Sequence, residues 1–379
     1  MNRQAAADPG VTLDSLKAEI RERRAEFHAL RHIPMDIVRK FQAIGAYRAF
    51  VPKRLGGDAL SPAQFCRLIE EISVADASAG WVASFGVSAT YLAALPPATY
   101  ERIYGADPDT VFAGAMFPPQ AAKRVAVGLE VSGRWPYASG VMGASLVGAG
   151  IRVEGETTPL PRTAVMPRAS VTVDETWDTI GLMATGSHDI VVDRVVVAED
   201  WTFIRGGKPL LEDAIFRYPA MALAAQVLAV VALGAARGAL DWVRASAAGK
   251  TSITGAPSLA SRPYAQMDFA RAEGLLMGAR AAFYDAMEAG WHQMQTAGEV
   301  TRDTHIRLRH SASKAAQDGA EAARLAFVIG GSEATRSSHP LGRAMLDAAC
   351  VAQHAFLSGG TWQGAGAALF DQPVPPGFP

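Results

Sequence analysis

The chain has 379 residues, enough for two or three domains and a large core, so a single small module is excluded. With 49% hydrophobic and 19% charged residues, its composition is globular and unlike that of disordered or collagen-like chains. Its 36 Lys and Arg balance 37 Asp and Glu, leaving no net field to hold nucleic acid or an anionic membrane surface.

The polar stretch from Met1 to Leu13 lacks the apolar core of a secretory signal. The two cysteines, Cys66 and Cys350, form no CxxC or Cys/His spacing, so a reducing cytoplasm is expected and a disulfide scaffold or zinc site is not. Residues 13–50 read as two helices, with Asp14 capping the first and Pro34 in the first turn of the second. Val51-Pro-Lys-Arg-Leu-Gly-Gly57 interrupts the pattern, which resumes at Phe65 and runs on through Ala75 to Leu95. Residues 1–110 are therefore expected to form a helical domain.

From Val111 the chain turns β-branched and aromatic, with strands expected around Val125-Ala-Val127, Val131 to Trp135, Val171-Thr-Val173 and Ile190 to Val197. Residues 111–205 read as a β domain and 206–379 as an alanine-rich helical domain, broken near Gly249 to Pro263 and Gly330 to Pro340. Pro219 to Leu233 nearly reaches membrane-spanning length. It is rich in alanine and interrupted by Gln226, with Arg237 beyond, so a buried helix is expected and no membrane segment. Helices and strands segregate, which disfavours a doubly wound parallel sheet. No phosphate loop, GxGxxG, HExxH or GxSxG occurs, so Rossmann, metal and serine-hydrolase chemistry lack a motif.

Several segments, in order, resemble the acyl-CoA dehydrogenase superfamily. Val51-Pro52 followed by Leu55-Gly-Gly57 resembles its VP-x-x-x-GG turn, and Ser132-Gly-Arg-Trp-Pro-Tyr-Ala-Ser-Gly140 its flavin strand. Trp177 to Ser187 with Asp189 to Val197 is similar to its G-x-R-G-T-x-S strand pair. Gly330-Gly331 and His339-Pro-Leu-Gly-Arg343 to Asp347 resemble its C-terminal motif. The resemblance implies an α+β fold: an N-terminal helical domain, a central β-barrel and a C-terminal four-helix bundle around a flavin, usually in a homotetramer.

Dehydrogenases of the superfamily place a glutamate at one of two positions; here these are Ala224 and Ala355, and no acidic residue lies between Phe216 and Gly234. His354 instead matches the active-site histidine of two-component flavin monooxygenases of this fold. An imidazole can take a proton or donate a hydrogen bond near neutral pH. By the same resemblance, Ser139 would reach flavin N5, with Tyr137 and Trp135 on one strand face beside the ring. Met116, Phe117, Gly330 and Gly331 would also hold cofactor, and Trp81 and Tyr91 would line the substrate pocket. Barrel core or simple packing is the competing reading for the aromatic residues. Leu346 replaces the usual arginine before Asp347, and the R-x-x-F-G segment that grips the FAD diphosphate is not recognisable between Lys250 and Gln266, so FAD and FMN both remain candidates.

The expected function is oxygenation of an aromatic or other small organic molecule with O2 and reduced flavin from a separate reductase. An acyl-CoA dehydrogenase-like enzyme with another base, and a non-catalytic flavin-binding assembly subunit, are the alternatives.

Overall fold

A computed structural model describes residues 10–156, 160–207, 209–249, 257–375 and 378. Most of the polar N-terminal stretch, and residues 250–256 of the segment searched for a diphosphate motif, lie outside them.

Among the described residues six α-helices come first: α1 (Leu13–Leu30), α2 (Met35–Ala43), α3 (Pro62–Ala75), α4 (Ala77–Ala83), α5 (Ser88–Leu92) and α6 (Pro97–Ala106). The cap of α1 is Thr12 and not Asp14: Thr12 and Ser15 satisfy each other's backbone N–H reciprocally, while Asp14 sits inside the first turn. The expected run through Ala75 to Leu95 is broken at Asp76. This residue leaves helical geometry, and its carboxylate accepts the Ala79 N–H at 3.0 Å to start α4.

Among the described residues seven strands follow: β1 (Phe112–Val125), β2 (Gly128–Trp135), β3 (Leu146–Val153), β4 (Arg162–Pro167), β5 (Thr172–Asp174), β6 (Asp189–Val197) and β7 (Thr202–Ile204). They form one sheet in the order β5-β6-β2-β1-β3-β4-β7, with β1 and β3 parallel and the other pairs antiparallel. The edge strands β5 and β7 do not pair with each other. β4 and β6 nonetheless touch, so the sheet curls without a closing ladder. Val125-Ala-Val127 is the tip of the β1–β2 hairpin and not a strand of its own, because Val125 pairs with Gly128 across a two-residue turn.

One irregularity shapes the sheet end. β1 keeps register with β3 at Ala115–Ala149 and resumes it at Gln120–Ile151, so residues 116–119 bulge out opposite Gly150. A side chain at Gly150 would collide with the Met116 carbonyl at 2.1 Å; glycine admits the bulge.

The remaining helices are α7 (Ala214–Arg217), α8 (Ala220–Ala247), α9 (Pro263–Thr296), α10 (Arg302–Gly330), α11 (Pro340–Ala352) and α12 (Gly359–Leu369). α8 to α11 pack as a four-helix bundle, with α8 and α10 at its centre. The break between α9 and α10 escaped the composition because it turns on a single Gly298 in the left-handed region. α8 is long and apolar enough to cross a membrane, and most of it is buried. It crosses α3 closely at Gly234, where a side chain would strike Ser73 Cβ at 2.4 Å. Glu70 of α3 takes hydrogen bonds from Arg280 (2.7 Å) and Tyr284 (2.6 Å) of α9, fastening the first helices to the bundle.

Candidate active site

Two side-chain clusters form where sheet and helices meet. The first begins past β2. Tyr137 adopts the left-handed backbone (φ 65), and residues 137–140 are strapped to 185–188 by the Ala138 N–H to the His188 carbonyl (3.0 Å) and the Gly140 N–H to the Thr185 carbonyl (2.8 Å). The strap lines up three hydroxyls. Ser139 Oγ lies 2.6 Å from Ser187 Oγ, which lies 2.7 Å from Thr185 Oγ1; Thr185 donates to the Leu182 carbonyl at 3.0 Å. Thr185 and Ser187 are buried, and half-buried Ser139 is the outer end of the row.

Beside it the Tyr137 ring is 69% exposed and stands edge-on to Trp177, with centroids 6.2 Å apart. The β1 bulge carries Phe117 out to 62% exposure, while Met116 is half-buried, its sulfur taking the Thr163 hydroxyl at 3.2 Å.

The second cluster gathers Trp81 (α4), Tyr91 (α5), Arg205 after β7, and His354 and Phe356 between α11 and α12. The His354 ring is 5.8 Å from Trp81 and 4.9 Å from Phe356. The Arg205 guanidinium lies 5.2 Å from the Tyr91 ring and 5.8 Å from Phe356. Among the described residues no carboxylate is within ion-pair distance of Arg205. Trp81 is buried, and its indole N–H finds no partner among the described residues.

His354 Nδ1 accepts the Phe356 N–H at 3.2 Å. A backbone N–H can only donate, so the single proton of a neutral ring sits on Nε2. Burial, reinforced by the Arg205 charge, pushes the imidazole down to about 4, which keeps it neutral near pH 7. Of the two roles expected from sequence, this arrangement offers the hydrogen-bond donor: Nε2 carries a proton and has no lone pair to take another.

Three contacts hold the clusters in one frame. Gly140 packs on Phe85 and on Val82, the latter next in chain to Trp81; Ala184 N–H donates to Ser78 Oγ at 3.2 Å. Leu182 N–H donates to the buried Asp347 carboxylate of α11 at 2.6 Å. The loop before β6 is thus clamped between α4 and α11, and α11 leads directly to His354. A cleft of about 290 Å³ lined by Arg24, Asp76, Trp242 and Arg343, and an open groove of about 580 Å³ along α9 and α10, do not include His354.

Two expectations shift. Trp135 and Tyr137 do not share a face: β2 ends at Trp135, the left-handed turn at Tyr137 breaks the alternation, and Trp135 is fully buried with its N–H on the Gly150 carbonyl at 2.8 Å. Trp135 is therefore sheet core and not a cofactor contact. Gly330 and Gly331 end α10: Gly331 (φ 68) reverses the chain, and Gly330 has no room for a side chain against Leu341. Sequence reasoning missed Arg205 and Phe356, and quoted Thr185 and Ser187 only as part of a motif.

Residues 12–96 match the acyl-CoA dehydrogenase N-terminal domain and residues 226–359 the acyl-CoA dehydrogenase C-terminal domain. Over 377 residues the chain is 50% identical to an indole-3-acetate monooxygenase of Pseudomonas putida, covering 99% of this chain and 97% of that one. The chain belongs to the acyl-CoA dehydrogenase superfamily. A second indole-3-acetate monooxygenase, from Acinetobacter baumannii, is 44% identical over 99% of this chain and 97% of its own. The crystal structure of 3-HSA hydroxylase from Rhodococcus sp. RHA1 superposes with a TM-score of 0.87 at 25% identity, covering 96% of each chain. Within the superfamily this chain is a flavin-dependent monooxygenase of the two-component kind, using O2 and reduced flavin from a separate reductase on a small organic substrate.

The first cluster fits a flavin ring. It offers a half-buried hydroxyl oxygen at the mouth of a buried polar row, with the exposed Tyr137 ring two residues away in the chain. Were reduced flavin bound there, it would supply the electrons that activate O2.

Proposed function

We propose that this monooxygenase oxygenates indole-3-acetate or a close aryl-acetate, with Arg205 receiving the carboxylate. The observation that carries the reading is the half-buried Arg205 guanidinium, held among Tyr91, Phe356 and His354 with no carboxylate of the described chain to pair with. A cation in aromatic surroundings suits a ligand that is both aromatic and anionic, because a planar fork meets a carboxylate bidentately while the rings cover the arene. The names of the two whole-length relatives support the same substrate.

In this reading Trp81 and Tyr91 line the arene, the Trp81 N–H gains a partner on binding, and His354 Nε2–H donates to the oxygen being transferred. Ser139 holds flavin N5, with Tyr137, Phe117 and the Met116 backbone beside the ring. These residues address only the ring that FAD and FMN share, so either cofactor serves. Domains at 1–110, 111–205 and 206–379, a cytoplasmic setting and a homotetramer belong to the same proposal. Two free cysteines suit a reducing compartment, and Tyr264, Met267 and Met277, exposed on α9, suit burial against another copy.

The test is a comparison of indole-3-acetate with its neutral amide in the presence of reductase, NADH and flavin. A kcat/KM about 10-fold or more higher for the acid supports the reading, since a charge-assisted hydrogen bond is worth about 1.5–3 kcal/mol. Equal values overturn it.

A further inference from the structure

We propose that Ser187 and Thr185 act as positioning residues that make Ser139 a hydrogen-bond acceptor, so that the site selects reduced over oxidised flavin. Each hydroxyl has one proton to give. Thr185 gives its proton to the Leu182 carbonyl at 3.0 Å, an acceptor that can never donate. In the 2.7 Å contact between Thr185 and Ser187, Ser187 must therefore be the donor. Its proton being used, Ser139 must donate in the 2.6 Å contact with Ser187.

The polarity of the whole row is thus set at its buried end and delivered to its half-buried end. Ser139 arrives with its proton committed and lone pairs free. Flavin N5 is an acceptor when oxidised and carries a proton when reduced. A committed Ser139 can receive N5–H but cannot satisfy bare N5 without breaking the row. The carbonyl that sets the direction is itself held in place: Leu182 N–H is tied to the buried Asp347 carboxylate at 2.6 Å.

The consequence is a retention rule suited to a protein fed by a separate reductase. Reduced flavin is kept, and oxidised flavin is released for another round of reduction. The proposal rests on Ser139 facing N5 and is independent of which substrate is oxygenated.

The test is binding and not turnover. Dissociation constants for reduced FMN and FAD under anaerobic conditions, and for the oxidised forms by fluorescence quenching, are measured on the full-length wild type, Ser187→Ala, Thr185→Val, Thr185→Ser and Ser139→Ala. The wild type should bind the reduced form more tightly. Ser187→Ala frees the Ser139 proton and should shrink the preference by about 3- to 10-fold, mainly by tightening oxidised flavin. Thr185→Val should act likewise, and Thr185→Ser, which keeps the hydroxyl, should restore the wild-type ratio.

An unchanged ratio in Ser187→Ala, a ratio equally altered in Thr185→Ser and Thr185→Val, or a wild type without preference overturns the proposal. If Ser187→Ala does not fold, the Thr185 pair decides by the same ratio. Ser139→Ala separates the premises: if it alters neither constant, Ser139 does not face the flavin and the reading beneath the proposal falls. If it weakens reduced flavin while Ser187→Ala leaves the ratio intact, only the row's polarity is wrong.

Discussion

Arg205 holds its guanidinium 5.2 Å from the centre of the Tyr91 ring, with no acidic side chain of the described chain in ion-pair range. Left without a ligand, such a cation is incompletely compensated, and a carboxylate arriving beside it gains a charge-assisted bond. Arg205→Gln should raise the KM for indole-3-acetate by about 10- to 100-fold and leave a neutral indole unaffected. Arg205→Lys should recover only part, because an ammonium lacks the planar fork. Steady-state kinetics on both substrates checks this.

His354 is bound by its Nδ1 to the Phe356 N–H, and this leaves Nε2–H as the working edge. Replacing it with alanine should lower kcat for oxygenation by about 100-fold, with the flavin's electrons diverted to hydrogen peroxide. His354→Gln keeps an N–H donor of similar reach and should retain about a tenth of the activity or more. Product and peroxide are measured together, so loss of coupling is separated from loss of flavin.

The depressed His354 pKa also has a sign in stability. Folded His354 titrates at about 4, below the ordinary 6.5. Between those values the unfolded chain binds the proton and the folded one does not. Stability is therefore complete above pH 6.5 and declines as pH falls toward 4. Asp347 acts oppositely, since burial pushes its carboxyl up to about 6. The two are separated by comparing urea unfolding of wild type and His354→Gln from pH 4 to 8. Their stability difference should be flat above 6.5 and change steadily in favour of the variant below it.

Asp347 should matter for a further reason. Its carboxylate takes the Leu182 N–H inside the protein and so holds the loop that carries Thr185 and Ser187. Asp347→Ala leaves that donor without a partner and should cost about 1–3 kcal/mol of stability. Asp347→Asn, which still offers an oxygen, should recover most of it. Chemical denaturation at pH 7.5 reads the difference.

Much of this was legible in the chain. Ile190 to Val197 announces β6 by its β-branched residues, and the alanine-rich stretch from Pro219 announces α8 by its length and apolar content. Asp76 was harder, because its backbone ends one helix and its carboxylate starts the next within a continuous apolar pattern. At the site, His354 stood out through its place in a motif. Arg205 did not: a lone arginine near a strand end looks solvated until the fold brings Tyr91 and Phe356 to it from distant elements. Trp135 and Tyr137 looked alike by strand parity, which held only as far as the strand itself. The direction of the Ser139 row was beyond sequence altogether, for it depends on a carbonyl that only folding places beside Thr185.

The most direct test of the central claim is a single turnover under labelled dioxygen. The protein is loaded with reduced flavin, mixed with indole-3-acetate and 18O2, and its product weighed by mass spectrometry. One 18O atom in the indole product, with less product from Arg205→Gln at subsaturating indole-3-acetate, is the predicted result. A desaturated or unchanged substrate with all the oxygen recovered as hydrogen peroxide would contradict it.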